Sequence, residues 1–162
     1  MEKKGCDIGL IGLGVMGRNF LLHVADQGFA VAGYDLDAEK TDALENEKTA
    51  DTDIRTATAV HDFVNLLRRP RTVMLLVPAG DPVDAVIGEI APLLEPGDLI
   101  IDSGNSHFKD TDRRGKALAE TKLEFMGMGI YGAGLRPKVI FSKSRPGFSA
   151  IAKRKPESPL ST

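Results

Sequence analysis

Residues 8–17 read IGLIGLGVMG: a short apolar run closed by Gly12-Leu13-Gly14-Val15-Met16-Gly17. This G-x-G-x-x-G constrains the fold more than any other stretch. The apolar run before it reads as a buried strand. VMGRNFLLHVADQG after it has helical spacing, with Met16, Phe20, Leu21 and Val24 on one face and Gly28 as its C-terminal stop. The motif therefore sits where a strand turns directly into a helix. There the first glycine permits the tight turn, the second lets the backbone approach a ligand, and the third lets helix and strand pack closely.

The pattern continues along the chain. FAVAGYD reads as a second strand, LDAEKTDALENEK as a polar helix and DIRTATAV as a weak strand or loop. HDFVNLLRR is a helix expected to run to Pro70, and RTVMLLVP is a strongly apolar strand. The next helix, DPVDAVIGEIAPLL, is expected to start with Asp81 as N-cap and Pro82 at the first helical position. LIIDSG reads as a buried strand, SHFKDTDRRGKALAETK as a helix capped by Ser106, and LEFMGMGI as a strand. Continuous apolar strands alternating with helices predict an α/β fold: a Rossmann-type, doubly wound, mainly parallel sheet with helices on both faces. The length of 162 residues allows one such domain, placed at 1–130.

A second feature fixes the chemistry of the turn. Asp35 closes the second strand 23 residues after Gly12, near the spacing of the dinucleotide fingerprint. A carboxylate there accepts hydrogen bonds from ribose hydroxyls and repels a 2′-phosphate, and neighbouring Leu36 and Asp37 bring no positive charge. The cofactor expected is NAD, with NADP disfavoured. Asp37 reads better as a cap for the following helix. His23 and His61 fall on helix faces expected to be exposed, and His107 reads as a plain helix-start residue. One cysteine, Cys6, excludes an internal disulfide, and no metal site is expected. No apolar run reaches transmembrane length, no signal peptide is recognised, and a cytoplasmic location is expected.

With IGLGVMGRNF, LLVPAGDPVD and LIIDSGNSHFKDTDRR in hand, residues 5–130 closely resemble the cofactor domain of the 6-phosphogluconate dehydrogenases, within the β-hydroxyacid dehydrogenases. Such enzymes oxidise 6-phosphogluconate at C3 with a nicotinamide cofactor and release CO₂ to give ribulose 5-phosphate. The resemblance implies that Gly12, Leu13, Gly14, Val15, Met16 and Gly17 line the pyrophosphate turn. It implies that Val77, Pro78 and Ala79 lie against the cofactor, and that Asn105 touches nicotinamide and substrate. NADP-using members carry Asn-Arg-Thr where this chain has Asp35-Leu36-Asp37, which agrees with the charge argument for NAD.

The pattern then breaks. The family's Gly-x-Ser-Gly-Gly-Glu-Glu substrate stretch is replaced by Tyr131, Gly132, Ala133, Gly134 and Leu135. Residues 131–162 hold seven Lys/Arg and one acid, Glu157, against 14 Lys/Arg and 22 Asp/Glu in residues 1–130. This tail is expected to be irregular and partly disordered, and the chain to be truncated or frameshifted after about residue 130. No residue matches the family's catalytic Lys, Asn and Glu, so no catalytic residue is assigned. A 6-phosphogluconate-like substrate is expected only if a helical domain is supplied. The other reading is a non-catalytic NAD(H)-binding module, or a partner of a full-length paralogue. Uncovered apolar surface near the last strand favours self-association. The net charge of −2 gives no case for nucleic acid.

Overall fold

The computed structural model describes residues 4–131 and 138–141. Six strands form a parallel sheet: β1 (Ile8–Ile11), β2 (Val31–Tyr34), β3 (Ile54–Thr56), β4 (Thr72–Leu75), β5 (Leu99–Asp102) and β6 (Glu124–Tyr131). A seventh, β7 (Lys138–Phe141), pairs antiparallel with β6. The order is β3-β2-β1-β4-β5-β6-β7, so the chain reverses its direction of travel across the sheet between β1 and β4. β7 lies inside the segment expected to be irregular. Residues 132–137 and 142–162, which carry most of the basic tail and the departure from the family pattern, lie outside the described residues.

Each strand alternates between two cores, because successive side chains point to opposite faces. On one face Ile8, Leu10, Val31, Met74 and Ile101 pack with Phe20, Leu21 and Val24 of α1 (Val15–Asp26) and Leu44 of α2 (Ala38–Glu47). On the other Ile11, Tyr34, Val73, Leu75 and Ile100 meet Phe63 and Val64 of α3 (Val60–Asn65). Val83 and Ile90 of α4 (Asp81–Ile90) and Leu118 of α5 (Phe108–Ala119) complete that second core. The doubly wound α/β architecture is thus present with both faces covered. Among the described residues no helix is long and apolar enough to cross a membrane.

Three local expectations are corrected. α3 ends at Asn65 rather than running to Pro70. Leu67 there forms a parallel bridge with Cys6, whose N–H donates to the Leu66 carbonyl (2.7 Å) while its carbonyl accepts from the Arg68 N–H (3.0 Å). The chain leaves the helix to pair with the segment entering β1, and Cys6 is wholly buried. The N-cap of α4 is Gly80, at φ 91°, rather than Asp81. The N-cap of α5 is His107, whose Nδ1 accepts from the Lys109 N–H (3.3 Å), because the Ser106 hydroxyl is taken by Arg114.

Two close approaches set the α1 geometry. Gly12 adopts φ 105°, and a Cβ on it would lie 2.4 Å from the Leu76 carbonyl oxygen. A Cβ on Gly17 would lie 2.0 Å from the Gly12 oxygen. At the opposite, N-terminal edge of the sheet, the buried Asp98 accepts from the Arg71 backbone N–H (2.7 Å), the Arg71 guanidinium (3.2 Å) and the Glu95 N–H (2.9 Å). It thereby joins the entries of β4 and β5.

Gly17→Ala is expected to destabilise the domain by about 3 kcal/mol, since the clash is with backbone that cannot step aside. Gly88→Ala, in the interior of α4 where a Cβ meets nothing within 4 Å, should instead stabilise it by about 0.5–1 kcal/mol. Asp98→Ala leaves a buried guanidinium unpaired and should cost about 3–5 kcal/mol. Denaturant melts of the three variants check all three signs.

Candidate functional site

In an open parallel sheet, ligands settle outside the strand C-termini where the connections diverge. Here that place lies between β1 and β4. A cleft of about 240 Å³ opens there, lined by Gly12, Tyr34, Asp35, Leu36, Val60, Val77, Pro78, Pro82, Val86 and Glu89 among others. It brings together four residues expected from the sequence: Gly12, Asp35, Val77 and Pro78. Ala79 follows on the same exposed loop, and Asn105 is exposed on the neighbouring loop after β5.

The glycine turn presents backbone rather than side chains. Gly14 caps α1 without a side-chain bond, and the first turn of the helix carries no acid. Its N–H groups and the positive end of the helix dipole are therefore available to an anion. A Cβ on Gly14 would meet nothing within 4 Å, so the space in front of this turn is open. Val15 stands exposed at the rim and Met16 packs half-buried toward the core. Leu13 turns inward: its side chain is 2% exposed in the α1 core, and its N–H donates to Asp35. A dinucleotide pyrophosphate fits this cradle on both counts, open space and uncommitted donors.

Asp35 does more than close β2. Its Oδ2 accepts from the Leu13 N–H (2.7 Å) and its Oδ1 from the Asp37 N–H (2.8 Å), so the carboxylate ties the glycine turn to the start of α2. Each oxygen keeps a lone pair for a further donor. Asp37 is the cap expected of it, accepting from the Glu39 N–H at 3.0 Å. Leu36 beside them is 84% exposed. Sequence reasoning missed three neighbours. Glu89 brings a second carboxylate into the cleft from α4. Lys40 places its ammonium 4.0 Å from Asp35, which its position one helical turn into α2 foreshadows. Tyr34 forms the inner wall, where burial first, then Glu89 and Asp35, raise its phenol above its ordinary pKa.

On the far side of the cleft, Asn105 adopts φ 58°, the left-handed region that asparagine tolerates better than most residues. The Asp102 carboxylate holds the turn before it, accepting from the Gly104 N–H at 3.1 Å. A Cβ on Gly104 would lie 2.4 Å from the Val77 oxygen, so the loops after β4 and β5 touch. Beneath them Arg114 is buried, and Asp84, its main partner, has a carboxyl held at about 2 by the hydrogen bond from that guanidinium, with Arg113 adding to the effect. Asp84 therefore stays charged beside the two guanidinium groups at neutral pH. His61 is exposed and His23 half-buried, both away from the cleft lining, and His107 serves as the α5 cap.

Residues 7–136 match the family described as the NAD binding domain of 6-phosphogluconate dehydrogenase. The match runs six residues past the boundary expected at 130. The 6-phosphogluconate dehydrogenase, decarboxylating 1, of Saccharomyces cerevisiae is 50% identical over 126 residues, covering 78% of this chain and 26% of that protein. The enzyme of Cunninghamella elegans is 42% identical over an alignment of 168 positions that covers 97% of this chain and 35% of that protein. The chain thus spans about a quarter to a third of the curated relatives' length. Among solved structures, 6-phosphogluconate dehydrogenase of Plasmodium falciparum, described with its cofactor NADP⁺ and its substrate 6-phosphogluconate, superposes with a TM-score of 0.84. It is 34% identical, over 91% of this chain and 33% of that one. With the match running from residue 7 to residue 136, this chain belongs to the family of NAD-binding domains of the 6-phosphogluconate dehydrogenases.

Proposed function

We propose that this domain binds a nicotinamide dinucleotide along the C-terminal edge of its sheet, prefers NAD(H) to NADP(H), and serves the oxidation of a 6-phosphogluconate-like hydroxy acid when a helical domain supplies the catalytic groups. The cofactor contributes the hydride-accepting ring. The N–H groups of Gly14, Val15, Met16 and Gly17 hold the pyrophosphate, and Gly12 and Leu13 shape the turn behind them. Asp35 accepts from the ribose hydroxyls of the adenosine half, with Leu36 and Tyr34 beside the adenine. Val77, Pro78, Ala79 and Asn105 stand on the nicotinamide side, where Asn105 also reaches substrate.

The observation that carries the cofactor preference is the pair of carboxylates, Asp35 and Glu89, in one cleft. A 2′-phosphate there would bring a further charge of nearly −2 against them. Lys40 offsets part of this from the rim, but its ammonium already faces Asp35. Leu36 offers apolar surface and no charge to a phosphate.

Titrated with each cofactor while nicotinamide fluorescence is followed, the chain should bind NADH about 10- to 100-fold more tightly than NADPH. The double substitution Asp35→Asn, Leu36→Arg should reverse that order, and equal binding by the unaltered chain would refute the carboxylate argument. Gly14→Ala should weaken NADH about tenfold with an unchanged melting midpoint, because the added methyl occupies the ligand's space and no protein atom's. The chain alone should not turn over 6-phosphogluconate, and stoichiometric NADH production from it would remove the need for a helical domain.

A further inference from the structure

Arg114 sits midway along α5 with 2% of its surface exposed. Its guanidinium has five N–H donors, and each has an acceptor. The Nε–H donates to Asp84 Oδ1 (2.9 Å). Nη1 donates to Asp102 Oδ2 (3.2 Å) and to the Ser106 hydroxyl (3.0 Å). Nη2 donates to the Gly80 carbonyl (3.1 Å) and to Asp84 Oδ2 (3.2 Å). Two carboxylates balance its charge, and the exposed Arg113 shares Asp84 at 3.0 Å, so the group presents no charge to a ligand.

What sets this arrangement apart from an ordinary buried ion pair is where its acceptors come from. Gly80 ends the loop after β4, and Asp84 lies in the first turn of α4. Asp102 closes β5, and Ser106 ends the loop carrying Gly104 and Asn105. One planar fork thus fixes both loops that follow β4 and β5. Asp102 works in both directions, since its other oxygen holds the Gly104 N–H that precedes Asn105. These loops lie across the reversal point from Asp35. In a fold built of two mononucleotide-binding halves, they face the half of the ligand that Asp35 does not.

We infer that Arg114 is a positioning residue for the half of the dinucleotide over β4 and β5, holding the Val77–Gly80 and Gly104–Ser106 loops in register with each other. The inference rests on the dinucleotide-binding reading above. Lysine at this position keeps the charge but cannot span acceptors in three segments with one rigid plane.

The test compares ligands that do and do not reach those loops. NADH and AMP are titrated by calorimetry into the unaltered chain, Arg114→Lys and Ser106→Ala. Arg114→Lys should weaken NADH about tenfold or more while AMP stays within about twofold, because AMP occupies only the Asp35 side. Ser106→Ala, which removes one of five bonds and no charge, should weaken NADH about threefold and leave AMP unchanged. It carries the test if the lysine variant does not fold. An equal loss for both ligands would show that Arg114 merely stabilises the domain, and no loss for either would show that the loops hold without it. Equal affinity of the unaltered chain for NADH and AMP would also overturn the inference. Failure of the unaltered chain to bind either ligand would instead remove the dinucleotide reading itself.

Discussion

The approach of α1 to the end of β1 governs this structure. A carbonyl oxygen of Gly12 and the bare Cα of Gly17 share a space that admits no Cβ. That contact lets α1 pack closely over β1 and β2. The rest follows from that close approach. Phe20, Leu21 and Val24 reach the strands beneath, Leu13 is drawn into their core, and the Leu13 N–H is left facing Asp35. A bulkier residue at Gly17 would lift the helix, and the opening that receives a ligand would change shape with it. Packing and binding are here consequences of one steric limit.

Much of this was legible from the chain because local and global signals agree. The apolar runs LIGL, VMLL and LII could only be strands covered on two faces, and the three glycines could only follow such a strand. Asp35 was readable by its distance from Gly12. The errors came where a distant residue competes for a local partner. Ser106 has the chemistry of a cap, but Arg114 takes its hydroxyl, and the next residue, His107, caps instead. Asp81 has it too, yet the turn is made one residue earlier at Gly80, whose carbonyl also meets Arg114. α3 stops early because Leu67 pairs with Cys6 across more than sixty positions of sequence. The competitor lies eight residues from Ser106, 34 from Gly80 and 61 from Leu67, beyond the few neighbours that decide a cap or a helix end.

The site divides in the same way. Its backbone half, the glycine turn, is written in contiguous residues and reads directly. Its side-chain half is assembled from α2, α4 and α5. Glu89 and Lys40 look like ordinary solvated helix charges until the fold brings them to Asp35. Arg114 looks like one more base in a polar helix, yet it is among the most buried charges of the domain. Burying a charged side chain is costly unless its donors are met, and meeting five at once is a demand on tertiary structure.

The two ladders of β6 have a mechanical consequence. Glu124–Gly127 pair with β5 on one side, and Met128–Tyr131 pair with β7 on the other. No residue of β6 belongs to both registers. β7 can therefore peel away without costing the parallel sheet a rung. The strand works as a splice between a parallel and an antiparallel ladder. The lining of the crevice between β1 and β4 takes no residue from β6 or β7, so β7 is no part of its walls.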